Sequence, residues 1–362
     1  MDERLEQLKQ WLADIGQPFD AIEPASGDAS FRRYFRLTDG ESTRVVMDAP
    51  PEKEDSAPFV DIAARLQEAG VSVPGVLAQD LAQGFVLLAD LGHTLYLDAL
   101  DADTVERLYG DALEALVAMQ ARGDTAGLPP YDAELLEREM RLFTDWLVQR
   151  QLGLELTAAE RDLLETAFGR LIGTALEQPQ VFVHRDYHSR NLMLQPTHNP
   201  GIIDFQDAVR GPLTYDLVSL LRDCYIAWPR ERVNAWALGY RDLAIRAGVL
   251  AADTAAERDF LRWFDWMGVQ PPSRLPASSP ASTCATANRA ICRIFPVPWA
   301  ISSRWHRITT SFGLWASSSA SGYCRDWVEF QPRMNTDEHG YIKSFEPQRR
   351  QRRAKVINGM SS

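Results

Sequence analysis

A chain of 362 residues, 45% hydrophobic and 24% charged, has the composition of an ordinary globular protein, long enough for two lobes with ample core. Its formal net charge of −12 argues against nucleic acid as the main partner, and its four cysteines are too few and too irregular for a disulfide framework or a zinc site. The polar start Met1-Asp2-Glu3-Arg4 is not a signal peptide and no run approaches 18 apolar residues, so a cytoplasmic protein without a membrane span is expected.

In chain order, Leu5, Leu8, Leu12 and Ile15 mark an amphipathic helix stopped by Gly16. Ser26 to Arg32 then forms a small-residue bend entering a strand, where backbone N–H groups of Gly27 and Ser30 could approach a phosphate. Only Gly27 matches a G-x-G-x-x-G pattern, and a plain β-turn is the alternative reading. Phe31 to Leu37 and Thr43 to Met47 read as strands joined by Thr38-Asp39-Gly40-Glu41. The second of these carries no lysine for nucleotide phosphates, so Arg32 or Arg33 is the candidate cation. Alternation sends the two to opposite faces; Arg32 is favoured by its place in the bend, and two solvated surface arginines are the alternative. A helix over Phe59 to Ala69 and strands over Val71 to Leu77 and Phe85 to Leu88 complete a small antiparallel sheet carrying one helix. After a joint near Ala89-Asp90-Leu91-Gly92 the pattern turns helical over Val105 to Met119, Glu134 to Val148 and Ala158 to Leu176.

Val181-Phe182-Val183 is a short apolar strand that delivers the loop His184-Arg185-Asp186-Tyr187-His188-Ser189-Arg190-Asn191. Leu192-Met193-Leu194 and Gly201-Ile202-Ile203 form a hairpin ending at Asp204-Phe205. H-R-D-x-x-x-x-N followed by D-F is the catalytic-loop and metal-loop pattern of kinase-like phosphotransferases. Asp186 is the candidate base for an attacking hydroxyl, while Asn191 and Asp204 are candidate Mg²⁺ ligands. His184 reads as a packed anchor and His188 as facing the site in an open role. Asp207 is either a second metal or substrate contact or a solvated carboxylate, and Asp216 opens a helix where it could hold the catalytic loop. Further helices are expected at Tyr215 to Cys224 and Arg230 to Ala247.

The composition then breaks. Residues 1–270 carry 45 acidic and 25 basic side chains, a net of −20, whereas residues 271–362 carry 5 and 13, a net of +8. From Trp266 through Arg325 there is no Asp or Glu, and the segment is rich in Ser and Pro. The expectation is that the chain leaves its ancestral reading frame near Gln270; a low-complexity, disordered basic tail is the alternative. The implied organisation is a nucleotide-binding lobe at 1–92, a helical lobe with the catalytic and metal loops at 93–270, and an atypical tail at 271–362.

Across roughly residues 20–270 the loop at 184–191, Ile203-Asp204-Phe205 and Asp216-Leu217 resemble the aminoglycoside phosphotransferase and choline-kinase-like superfamily. That resemblance implies an α+β, protein-kinase-like two-lobed fold, with a small antiparallel-sheet N-lobe, a mainly helical C-lobe, and ATP with Mg²⁺ as cofactors. The finer runs Gly27 to Phe35, Val46 to Pro51 and Asp204 to Ala208 resemble bacterial anomeric kinases of cell-wall amino sugars. They imply an enzyme phosphorylating the C1 hydroxyl of N-acetylmuramate or N-acetylglucosamine in peptidoglycan recycling, with the sugar cleft lined near Glu134 to Trp146 and Asp223 to Trp228; a monomer acting on a small-molecule sugar is expected. A kinase of another small hydroxyl compound (an aminoglycoside, choline or homoserine) and a nucleotide-binding pseudokinase are the competing readings.

Overall fold

A computed structural model describes residues 2–27, 31–151, 153, 155–254, 256–268, 333–336 and 342–346 of the chain. Its first element, helix α1 (Glu3–Asp14), is capped by the Asp2 carboxylate, which accepts from the Leu5 amide at 3.2 Å. A five-stranded antiparallel sheet follows in the order β1-β2-β3-β5-β4, built from β1 (Ala21–Gly27), β2 (Arg33–Asp39), β3 (Ser42–Asp48), β4 (Val76–Asp80) and β5 (Phe85–Ala89).

The period of two along these strands explains how the sheet is covered on both faces. Phe35, Leu37, Val46, Phe85 and Leu87 meet Leu8, Trp11 and Leu12 of α1. Their neighbours Met47, Val86 and Leu88 point the other way, onto Phe59, Ile62, Ala63 and Leu66 of helix α2 (Ala57–Glu68). Gly70 ends α2 at φ +74°, a conformation that favours glycine.

β1 was not among the predicted strands: its end falls in the run from Ser26 that reads as a bend, and it contains Pro24. It lies at the sheet edge, where a missing N–H is tolerated, and its register slips between Pro24 and Ser26. The strand expected from Val71 begins at Val76; Val71 and Val73 are buried in the loop before it.

Arg36 of β2 fastens the sheet to the joint that follows β5. Its Nε and one terminal nitrogen donate to the two Asp90 oxygens at 2.7 and 3.0 Å, and it also donates to the Gly92 carbonyl at 2.7 Å. Beyond this point lie α3 (Tyr96–Ala99), α4 (Val105–Arg122), α5 (Ala133–Leu142) running into a π-helical stretch (Phe143–Gln151), and α6 (Ala158–Leu176). After two small antiparallel pairs, β6 (Gln180–Val183) with β9 (Val209–Pro212) and β7 (Leu192–Met193) with β8 (Gly201–Ile202), come α7 (Tyr215–Leu221), α8 (Arg230–Arg246) and α9 (Glu257–Met267). One apolar cluster joins Leu108 and Leu116 of α4, Leu171 of α6, Leu220 of α7, Tyr240 of α8 and Phe264 of α9. This is the expected α+β two-lobed fold, with β1, α3, β9 and α9 added.

Arg333–Thr336 and Ile342–Glu346 pair as a separate antiparallel hairpin, β10 with β11. Apart from it, the sequence from Val269 onward, on which the frame-change reading rests, lies outside the described residues. Among the described residues no helix is long and apolar enough to cross a membrane.

Candidate active site

The loop 184–191 leaves β6 and is pinned from below by α7. Asp216, fully buried in the first turn of α7, accepts the His184 amide at 2.7 Å and the Arg185 amide at 3.0 Å. Arg185 sits at φ +78°, an uncommon conformation for a residue with a side chain, and this grip on its amide is what holds it there. Burial pushes the Asp216 carboxyl up to about 7, while the two amides pull it the other way. His184 Nδ1 accepts the Asp186 amide at 3.2 Å and Nε2 faces the Ile203 carbonyl at 3.1 Å. A ring placed so is neutral with its proton on Nε2, and it ties the catalytic loop to the strand that ends at Asp204.

Asn191 ties the backbone of Asp186 to the carboxylate of Asp204. Its amide nitrogen donates to the Asp186 carbonyl at 3.0 Å and to Asp204 Oδ2 at 3.2 Å. Asp204, at φ +64°, also accepts from Gln206 Nε2 at 2.8 Å. With its nitrogen engaged, Asn191 keeps its amide oxygen for a cation, and the donor set of amide and carboxylate oxygens suits Mg²⁺. Among the described residues no group of three or more His, Cys, Asp or Glu is gathered for a metal, so the remaining ligands would be phosphate and water oxygens.

Three further anchors went unseen in the sequence. Buried Glu139 of α5 accepts from Arg185 at 2.9 Å and from the Tyr131 hydroxyl. Burial raises its carboxyl, and the Tyr131 hydrogen bond and the Arg185 charge oppose that rise. An acid between the buried Leu136 and Met140 on the α5 core face was the available signal. Asp223 accepts from the Ser189 amide at 3.0 Å, the Ser189 hydroxyl and the Tyr225 amide at 2.9 Å, so it binds the catalytic loop to the loop after α7. Gln206 orients Asp204, as above.

His188 donates its amide to the Asp186 carbonyl at 3.1 Å, and its ring lies 5.7 Å from that of Tyr225. Asp207 is half-buried, within electrostatic reach of Arg185. At the sheet end, Gly27 closes β1 opposite Arg33, and Ser30 lies outside the described residues. Arg32 is buried beside Glu54 at 3.3 Å. Arg33 donates to Asp48 at 3.0 Å and pairs with Asp2, while Arg4 donates to the other Asp48 oxygen at 2.9 Å. Buried Asp48 therefore stands near the end of the strand where a lysine was sought, and it draws Arg33 into the contact between β3 and the start of α1.

The sequence pattern of the phosphotransferase enzyme family matches residues 21–248. The chain belongs to that family. It is 47% identical over 281 residues to a Pseudomonas aeruginosa protein named N-acetylmuramate/N-acetylglucosamine kinase, covering 74% of this chain and 82% of that one. A Neisseria meningitidis protein of the same name is 43% identical over 271 residues, covering 73% and 79%. Among solved structures, ADP-bound aminoglycoside phosphotransferase APH(2'')-Ib superposes with a TM-score of 0.52 at 15% identity, covering 80% of this chain and 96% of that one. Choline kinase LicA from Streptococcus pneumoniae gives 0.54 at 10% identity, covering 80% and 98%. At such identities these two speak for the fold, and the family membership makes the protein a phosphotransferase.

Proposed function

We propose that this phosphotransferase moves the γ-phosphoryl group of ATP to the C1 hydroxyl of N-acetylmuramate and N-acetylglucosamine, in the cytoplasmic recycling of peptidoglycan sugars. The observation that carries the chemistry is Asn191, whose one amide nitrogen reaches both the Asp186 backbone and the Asp204 carboxylate. The acceptor class is supported by the activity in the names of the relatives in Pseudomonas aeruginosa and Neisseria meningitidis.

In this reading Asp186 accepts the proton of the attacking hydroxyl. Its backbone is held by His184 and Asn191, which limits where that carboxylate can sit. Asn191 and Asp204 hold Mg²⁺, which when bound offsets the negative charge of the phosphates. Arg32 serves the phosphates from the sheet end, together with the Gly27 and Ser30 backbone, and Arg33 acts structurally through Asp48. His184 and Asp216 shape the loop; His188 and Asp207 flank it. The tail after residue 270 is read as a departure from the family's own C-terminus, in line with the quarter or so of this chain left outside the match to the relative in Pseudomonas aeruginosa.

The test is a coupled assay of ADP release over a panel of sugars and their alditols. Transfer is expected with both N-acetylated sugars and lost with the alditols, which have no hemiacetal hydroxyl. Asp186→Asn should lower kcat by about 10² to 10⁴-fold. Turnover of the alditols, or of aminoglycosides or choline in place of the sugars, would refute the acceptor assignment.

A further inference from the structure

In the helical lobe Arg185 is engaged by Glu139 and Arg222 by Asp265, and at the sheet Arg33 is engaged by Asp48. Arg190 differs. It is exposed, makes no ion pair among the described residues, and lies over the face of Tyr225 with its guanidinium carbon 4.9 Å from the ring centroid. One of its terminal nitrogens reaches the Tyr225 hydroxyl at 3.4 Å.

Both sides of this pair are held in place. Arg190 precedes Asn191 on the catalytic loop, and Asp223 binds the Ser189 and Tyr225 amides together. His188 completes the patch: its ring is next to Tyr225, and its Nδ1 is buried with no hydrogen-bond partner among the described residues. The surface of the catalytic loop therefore offers Tyr225, 40% exposed, an imidazole, and a guanidinium held by stacking with no carboxylate on it among the described residues.

We propose that Arg190, seated on Tyr225, recognises the carboxylate of an anionic N-acetylhexosamine acceptor. The inference rests on the function proposed above and goes further, because the two acceptors differ by one charged group. N-acetylmuramate carries a lactyl ether ending in a carboxylate, and N-acetylglucosamine does not. A protein with a formal net charge of −12 repels an anionic sugar over most of its surface, so capture needs a local cation. A planar guanidinium with free donors meets a carboxylate with two parallel hydrogen bonds, and the Tyr225 ring gives an apolar C–H face of the sugar a surface to rest on.

The experiment compares kcat/KM for the two sugars in wild type, Arg190→Gln and Arg190→Lys. The ratio of N-acetylmuramate to N-acetylglucosamine efficiency should fall about tenfold or more in Arg190→Gln, the equivalent of about 1.4 kcal/mol. Arg190→Lys should restore part of it. Raising the ionic strength should lower the ratio in wild type and leave that of Arg190→Gln flat, because only the former depends on a screened charge pair. Calorimetric titration with each sugar gives the same discrimination without turnover. Equal losses for both sugars, or a rise in KM for ATP in place of a shift in the ratio, would overturn the proposal. A wild-type protein that binds and phosphorylates neither sugar would overturn the proposed function, and this inference with it, before any variant is made.

Discussion

At the catalytic loop it is the backbone that is gripped, through the His184 and Arg185 amides on Asp216 and the Ser189 amide on Asp223. At the sheet end the side chains are gripped instead: Arg33 by Asp48 and Asp2, Arg36 by Asp90, and Arg32 by Glu54. Fixing amides sets where every atom of the loop sits, including a residue in the left-handed region, and leaves the functional side chains to face the reaction. Fixing side chains commits their charge to holding elements together, most fully at Arg33, which meets two carboxylates where Arg32 meets one.

The largest break in this contrast is Asp216→Asn. An amide there keeps one acceptor and turns its NH₂ toward a backbone N–H, leaving a buried donor unsatisfied. Denaturant unfolding should show a loss of about 1–3 kcal/mol. Kcat should fall about a hundredfold as the loop loses its geometry. Next comes Glu139→Gln, which removes the charge facing Arg185 in a largely buried pair but keeps one acceptor; a loss of about 1–3 kcal/mol and a lower kcat with little change in KM are expected.

The sheet end sharpens the comparison. Arg32→Gln should raise KM for ATP about tenfold, whereas Arg33→Gln should leave KM within about twofold and lower stability by about 1 kcal/mol. Equal effects of the two would dissolve the distinction between them.

The smallest effect concerns pH. Burial pushes the Asp90 carboxyl up, but the Arg36 guanidinium and the Gly92 amide outweigh it and leave the group below its ordinary value. Its contribution is therefore present above the usual carboxylate pKa of about 3.9 and is lost as pH falls through the lower folded value. Acid titration of stability in Asp90→Asn should lack that component, with a difference under about 1 kcal/mol at neutral pH.

The legible parts of this molecule were those written in short spacing. The strand at 181–183, the hairpin to Asp204 and the helix over Ala158–Leu176 needed only local periodicity and turn residues. α9 is outside the predicted helices although Phe260, Trp263, Phe264 and Met267 form one buried face, because the composition break begins within it at Trp266. β1 and β9 were missed for another reason: a strand holding Pro24 and one holding Gly211-Pro212 gain their structure from partners, not from their own propensities.

From residues alone came the candidate set Asp186, Asn191 and Asp204, because phosphoryl transfer calls for those types within one loop and one hairpin. Asp216 was also legible as a residue that could hold the loop, but tertiary structure alone decided the other groups that do so. Glu139 lies 46 residues from Arg185 and Asp223 lies 34 from Ser189, so no local pattern joins them. Only packing of helices and sheet brings such carboxylates to the amides and guanidinium groups they bind, because burial leaves each charge in need of a partner.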